Sequence, residues 1–292
     1  LFDAEEGKPS SYSLPLFSST HLESHVLDPD KAKPLFDVDT AGMIKLLDKG
    51  MSCNHDSKLT FPIYCGAGLL SVYKGRLVAV ASDGINLTYA ELAAGESFAS
   101  KGEEIKHYLP SSGIKDILSA FEGSESEKVK ILTDGRQVFF KTSGGGEPSL
   151  SIMVSTRLVE CSQSIPFANI LEQVVEREAV AFDVKKIRSA LDRIGIISKQ
   201  GNSIVSISIE GSYMTIQANE GGVGVGDEIL ECDGAPMKEK VRVSVAYKRL
   251  QKALRIFSGD VNIRVLNGGS KGFLSCESDL GDIVSIVATI KS

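Results

Sequence analysis

Two hydrophobic periodicities succeed one another along this chain in a repeated order. In IVSISIE (204–210) and YMTIQA (213–218) apolar and polar residues alternate with period two, the mark of a half-buried strand. GLLSVY (68–73) and RLVAVASD (76–83) read as strands too, with longer apolar runs. Between such runs the spacing changes to three and four: Met43, Ile44, Leu46 and Leu47 form one helical stripe, and Ile187, Ala190, Leu191 and Ile194 another. Each stripe follows a similar tripeptide, Phe36-Asp37-Val38 in the first case and Phe182-Asp183-Val184 in the second.

The correspondence continues. HYLPSSGIKDILSAF (107–121) parallels VRVSVAYKRLQKALRIF (241–257), a short strand followed by a helix ending in Phe. EKVKILTDGRQVFFKTS (127–143) parallels GDVNIRVLNGGSKGFLSCE (259–277), hairpins with turns at Asp134-Gly135 and Asn267-Gly268-Gly269. LSIMVSTRL (150–158) parallels IVSIVATIK (283–291). An internal repeat of that length and order predicts two divergent copies of one α+β fold of about 110–140 residues. The expected boundaries are 36–174 and 175–292, joined by a polar connector from Glu172 to Ala179. Residues 1–35 are too few for a third copy, but SYSLPLFSS (11–19) resembles a last strand, so this stretch is expected to be the tail of a further, largely absent domain.

Composition narrows the class. The 292 residues carry 32 Lys+Arg against 38 Asp+Glu, net −6, with 42% hydrophobic and 24% charged residues, as in folded proteins. No apolar run reaches the ~18 residues of a membrane span, and residues 1–10 lack the form of a signal peptide. Five widely spaced cysteines without a C-x-x-C suit a reducing compartment, so a cytoplasmic address is expected. His21 and His25 stand four apart, but their segment reads as loop, and no metal site is expected. On net charge alone, nucleic acid is a poor partner.

The helix faces change that picture. From Tyr247 to Phe257 the apolar set Tyr247, Leu250, Leu254 and Phe257 lies about 160° from Lys248, Lys252 and Arg255. Met43, Leu47 and Met51 likewise oppose Lys45 and Lys49; Lys115 adds one basic residue to the next helix, and Lys185, Lys186, Arg188 and Arg193 are spread around the third. One basic face merely solvates a helix. Several in an acidic chain predict a locally positive surface that grips phosphates without reading bases.

Candidate chemistry is sparse. EGGVGVGDE (220–228) has glycines at 222, 224 and 226, yet a strand pattern and not a helix follows, so it reads as a hairpin loop instead of a dinucleotide cradle. Asp83-Gly84 resembles a strand-ending turn with no acid/base partner, and no hydrolase, zinc-protease or P-loop motif occurs. No catalytic residue and no cofactor is predicted.

RLVAVASDGINLTYAEL, VSTRLVE and GIISKQGNSIVSISIEGSYMTIQANE, in this order and within this repeat, resemble the bacterial sliding clamp, the beta subunit of DNA polymerase III. The resemblance covers roughly 11–292, the end of that family's first domain and its complete second and third domains. It implies a DNA clamp fold of tandem βαβββ units, with antiparallel sheets outside and amphipathic helices lining a channel. The implied function is a non-catalytic processivity factor that encircles duplex DNA as a homodimer ring and tethers polymerases.

Carried over by position, Lys45, Lys49, Lys115, Lys185, Arg188, Lys248, Lys252 and Arg255 would face DNA from the channel helices, where Ser111-Ser112 replaces a more basic pair. Ser82, Gly84, Ile85, Asn86 and Leu87 stand in the family's T-D-G-H-R-L segment, with Ile and Asn for its His and Arg. With Pro166, Ile170 and Leu171, and with Ile286, Val287, Ala288, Thr289 and Ile290 of the last strand, they would form the cleft that binds peptides of polymerases and the clamp loader. Ile196 and Ile197 match an aliphatic pair of the subunit interface. The alternative expectation is a clamp-like peptide-binding scaffold or regulatory protein that does not encircle DNA.

Overall fold

The computed structural model describes residues 32–53, 66–92, 105–124, 127–143, 152–198, 204–220, 224–266 and 272–290. The expectations for the 1–31 tail, for His21 and His25, and for the Asn267-Gly268-Gly269 turn lie outside these residues.

Four units in succession follow one plan: strand, helix, three strands. The first comprises β1 (Lys33–Asp39), α1 (Thr40–Gly50), β2 (Ala67–Tyr73), β3 (Arg76–Ser82) and β4 (Asn86–Leu92). The second has β5 (Lys106–Pro110), α2 (Ser111–Phe121), β6 (Lys128–Thr133), β7 (Gln137–Ser143) and β8 (Met153–Arg157). After α3 (Phe167–Val175) come β9 (Ala179–Asp183), α4 (Val184–Ser198), β10 (Ile204–Gly211), β11 (Tyr213–Glu220) and β12 (Gly224–Glu231). The last contains β13 (Met237–Ala246), α5 (Tyr247–Leu254), β14 (Asp260–Leu266), β15 (Phe273–Ser278) and β16 (Ile283–Ala288). Asp39 caps α1, its carboxylate accepting from Gly42 N at 2.5 Å. Two details depart from the sequence reading. The connector is helical up to Val175, because Phe167, Leu171 and Val174 form one buried stripe, and α5 stops at Leu254, three residues short of Phe257.

The units are interlocked in pairs. The first strand of each leaves its own triplet and joins its neighbour's: β1 pairs with β6, β5 with β2, β9 with β14 and β13 with β10, all antiparallel. Three sheets result, β1-β6-β7-β8, β12-β11-β10-β13 and an eight-stranded β5-β2-β3-β4-β16-β15-β14-β9. The long sheet is continuous because β4 and β16, each the last strand of its unit, pair from Ile283↔Ala90 to Val287↔Asn86.

Burial explains the two strand patterns. The inner strands of the eight-stranded sheet are covered on both faces. Leu70, Leu77, Ala79, Ala81 and Val287 join the large core, whereas Leu69, Val78, Val80, Leu87, Tyr89 and Ile286 pack beneath α3 in a second cluster. A strand buried on both sides has no polar face to show, hence RLVAVAS. β10 is covered on one side only, with Val205, Ile207 and Ile209 buried, hence IVSISIE.

Candidate functional site

A groove of about 320 Å³ opens on the α3-covered face where β4 meets β16. One wall is the β3–β4 turn, which is tightly self-bonded. Asp83 Oδ1 accepts from Ile85 N (3.0 Å) and Asn86 N (2.6 Å), and Asn86 Nδ2 donates to Asp83 Oδ2 at 2.9 Å. Ser82 Oγ donates to Asn86 O (2.8 Å) and accepts from Gly84 N (3.1 Å), and Gly84 has φ +85, which a side chain would strain. Asp83 is therefore spent on the turn, as its isolation in sequence suggested. The opposite wall is Ile286, Ala288 and Thr289, held in place by Ala288 N to Ile85 O (3.2 Å) and Thr289 N to Gly272 O (2.9 Å). Pro166 and Ile170 overhang it from α3.

Ten of the thirteen proposed cleft residues line this groove: Ser82, Gly84, Ile85, Asn86, Leu87, Pro166, Ile170, Ile286, Ala288 and Thr289. Three do not. Val287 points to the opposite face of the sheet and is fully buried in the large core, as strand alternation requires. Ile290 leaves the strand to bond Ser244 on β13 (N to O, 2.7 Å). Leu171 lines a neighbouring cavity, one helical step round α3. Sequence reasoning missed Ile165, Gly272 and Phe273. Phe273 was within reach, because it pairs with Ala288 across the β15–β16 hairpin and so shares its face.

The lining holds no titratable side chain, and Ile85 is 41% exposed at the rim. A preformed apolar trough of this kind takes apolar side chains of an extended segment. Asn86 Oδ1 is buried and has no hydrogen-bond partner among the described residues.

The basic residues fall into two groups. Lys248 and Lys252 on α5 and Arg255 just past its end are exposed, and Lys185 and Lys115 are exposed on α4 and α2. Lys45 pairs with Asp282 at 2.6 Å and Lys49 with Asp48 at 2.7 Å. Arg188 is a correction. Its Nη2 donates to the carbonyls of Phe257 (2.7 Å) and Leu254, so it ties α4 to the end of α5 instead of facing outward. Ile196 is 71% exposed near the end of α4, while Ile197 is partly buried against the core.

The glycine-rich segment is a strand pair. β11 and β12 pair from Tyr213↔Glu231 to Glu220↔Gly224, and a Cβ on Gly226 would stand 2.5 Å from Ile197 Cδ1. The glycine makes room for α4, not for phosphate. Burial pushes the Cys53 and Cys276 thiols up to about 11 and about 12, which keeps them un-ionised and inert. Among the described residues no cluster of His, Cys, Asp and Glu is arranged for a metal, and no helix is long and apolar enough to cross a membrane.

No protein-family model and no curated protein sequence matches the chain. Solved structures do match its fold. The C. crescentus beta sliding clamp superposes with a TM-score of 0.77 at 19% identity, covering 98% of this chain and 73% of that one. The DNA polymerase III beta subunit of Thermotoga maritima gives 0.75 at 18%, over 91% and 68%. A Pseudomonas aeruginosa sliding clamp bound to griselimycin gives 0.70 at 19%, over 88% and 65%. The chain thus has the α+β clamp fold and spans about two thirds of the length of most of these proteins.

Proposed function

We propose that this chain is a non-catalytic DNA sliding clamp that closes into a ring around duplex DNA and holds partner proteins by short peptides in the β4–β16 groove. The observation that carries the reading is the state of the four last-strand edges. Those of β4 and β16 are joined to each other, whereas β8 and β12 end their sheets among the described residues. A repeat whose edges join in pairs, with two left over, has the parts for closing with further copies of the same unit. On this reading Ile196, Val225 and Ile229, all largely exposed on or near the β12 edge, belong to a subunit contact with a second copy. Lys248, Lys252 and Arg255, with Lys185, Lys115, Lys45 and Lys49, belong to a channel wall that touches phosphates. The domain limits 36–174 and 175–292 and the cytoplasmic address remain part of the same proposal.

Binding to linear duplex is expected to weaken steeply with salt. Replacing Lys248, Lys252 and Arg255 by Gln should lower the slope of log K against log salt by about 0.9 for each phosphate that is no longer neutralised. An unchanged slope with unchanged affinity would overturn the channel assignment. A second reading, a peptide-binding scaffold that never encircles DNA, is favoured by the groove's being complete within this chain. Retention on nicked circular but not on linear DNA separates the two, since only a ring is held topologically.

A further inference from the structure

Beyond Leu171 on α3, the same sheet face bears a second cavity of about 380 Å³. Its floor is aromatic. Tyr73 of β2 meets Phe167 edge-on with ring centroids 5.2 Å apart, and Tyr89 of β4 stacks on the same ring at 6.1 Å, so Phe167 backs both tyrosines. Val284 of β16 completes the base. The rim is acidic. Glu91 is engaged by Arg76 and by the Tyr89 hydroxyl (2.6 Å), and Glu277 by Arg264 (3.0 Å). Glu172 and Glu176 stand one helical turn apart at the end of α3.

The chain itself places a cation here. Lys74 Nζ lies 5.0 Å from the centroid of the Tyr73 ring and 3.9 Å from Glu172 Oε1. It gets there through a two-residue hairpin turn in which Lys74 and Gly75 both have positive φ, 48° and 75°. Its side chain is 67% exposed, so the ammonium sits at the mouth and leaves the interior open. A positive charge over a tyrosine face, beside a carboxylate, is what this cavity holds from within its own sequence.

We infer that the cavity docks an arginine side chain presented by a basic segment of a partner protein. A guanidinium fits this chemistry better than an ammonium, because its plane can stack on the partly exposed Tyr73 ring while its fork pairs with a rim carboxylate such as Glu172 or Glu176. Ring closure and occupation of the β4–β16 groove are not required for this docking.

The test is an NMR titration of the ¹⁵N-labelled full chain with acetyl-tetraarginine amide, run beside the neutral isostere acetyl-tetracitrulline amide. Shifts are expected to centre on Tyr73, Tyr89, Val175 and Gly281, and to be absent with citrulline. Glu172→Gln combined with Glu176→Gln should weaken binding at least about five-fold with the rest of the spectrum unchanged. Lys74→Asn, which withdraws the internal competitor, should tighten it about two- to five-fold. The inference is overturned if the shifts scatter over the other acidic surfaces, if citrulline binds equally, or if the double substitution changes nothing. Any of these leaves the groove reading intact, since Ile85, Pro166 and Ile286 lie in the other cavity.

Discussion

β16 and β12 are the same strand of the same repeat in two different situations. β16 is zipped to β4, and Ile283, Val284, Ile286 and Val287 are all buried. Among the described residues β12 pairs only with β11, and Val225 and Ile229 are 67% and 63% exposed. Their sequences differ accordingly. IVSIVA is apolar towards both faces because helices cover both. In GVGDEILE the apolar positions Val225 and Ile229 share a face with Asp227 and Glu231, the charges that keep an open edge from pairing at random. The joined edge is built as core and the open edge as guarded surface. Such an edge admits a matching partner while resisting indiscriminate pairing.

The largest way to break this contrast is a charge at the seam. Val287→Asp places a carboxylate at a fully buried position with no partner, and a loss on the order of 3–5 kcal/mol is expected, read as loss of the cooperative urea transition. Next comes Gly226→Val on the open edge, where the new side chain meets Ile197 at 2.5 Å. About 1–3 kcal/mol should be lost in the same measurement, because α4 must shift. Ile229→Asp introduces the same carboxylate as the first variant, but into solvent. Its effect on stability should stay within about 0.5 kcal/mol, while any edge-to-edge self-association seen by sedimentation velocity should weaken more than ten-fold. If Ile229→Asp destabilised the monomer as Val287→Asp does, β12 would not be an open edge at all.

How far the sequence carries the architecture follows from the same physics. The repeat was legible because amphipathic period is a local property. Phe36-Asp37-Val38 and Phe182-Asp183-Val184 both lead into a helix, as read. The exchange of first strands between units was not legible, because β1 and β6 are far apart in the chain, and nothing in either names the other. The groove was found at residues brought by the β3–β4 turn and the last strand, but Phe273 enters only through register across a hairpin, and Val287 fails because adjacent strand residues face opposite ways. Arg188 misled for a similar reason. Its DNA-facing role was carried over from the resemblance by position alone, on a helix whose basic residues are spread around it, and only the folded chain shows the carbonyls of Leu254 and Phe257 within its reach.

The smallest expected difference between the two edges is in acid. Beside the seam, Asp282 in the β15–β16 turn is subject to burial, which raises its pKa, yet Lys45 at 2.6 Å and Ser278 at 2.7 Å prevail and hold it below its ordinary value. On β12, Glu228 is held low chiefly by Arg193, whose Nε and Nη2 each donate at 2.7 Å, against a smaller opposing effect of burial. Both carboxyls titrate lower folded than unfolded. Each therefore stabilises the fold fully above its unfolded value, near pH 3.9 for Asp and 4.3 for Glu, and that contribution is lost as pH falls through the folded value. In melts from pH 6 to pH 3, Asp282→Asn, which removes both the Lys45 pair and the Ser278 hydrogen bond, should flatten the acid limb of Tm by a few degrees, and Glu228→Gln, which removes the Arg193 pair alone, by no more than about one degree. The order of the two slopes is what matters. If Glu228→Gln flattened the limb more than Asp282→Asn, the β12 edge would be shielded in solution by another strand, and the guarded surface would already be a joint.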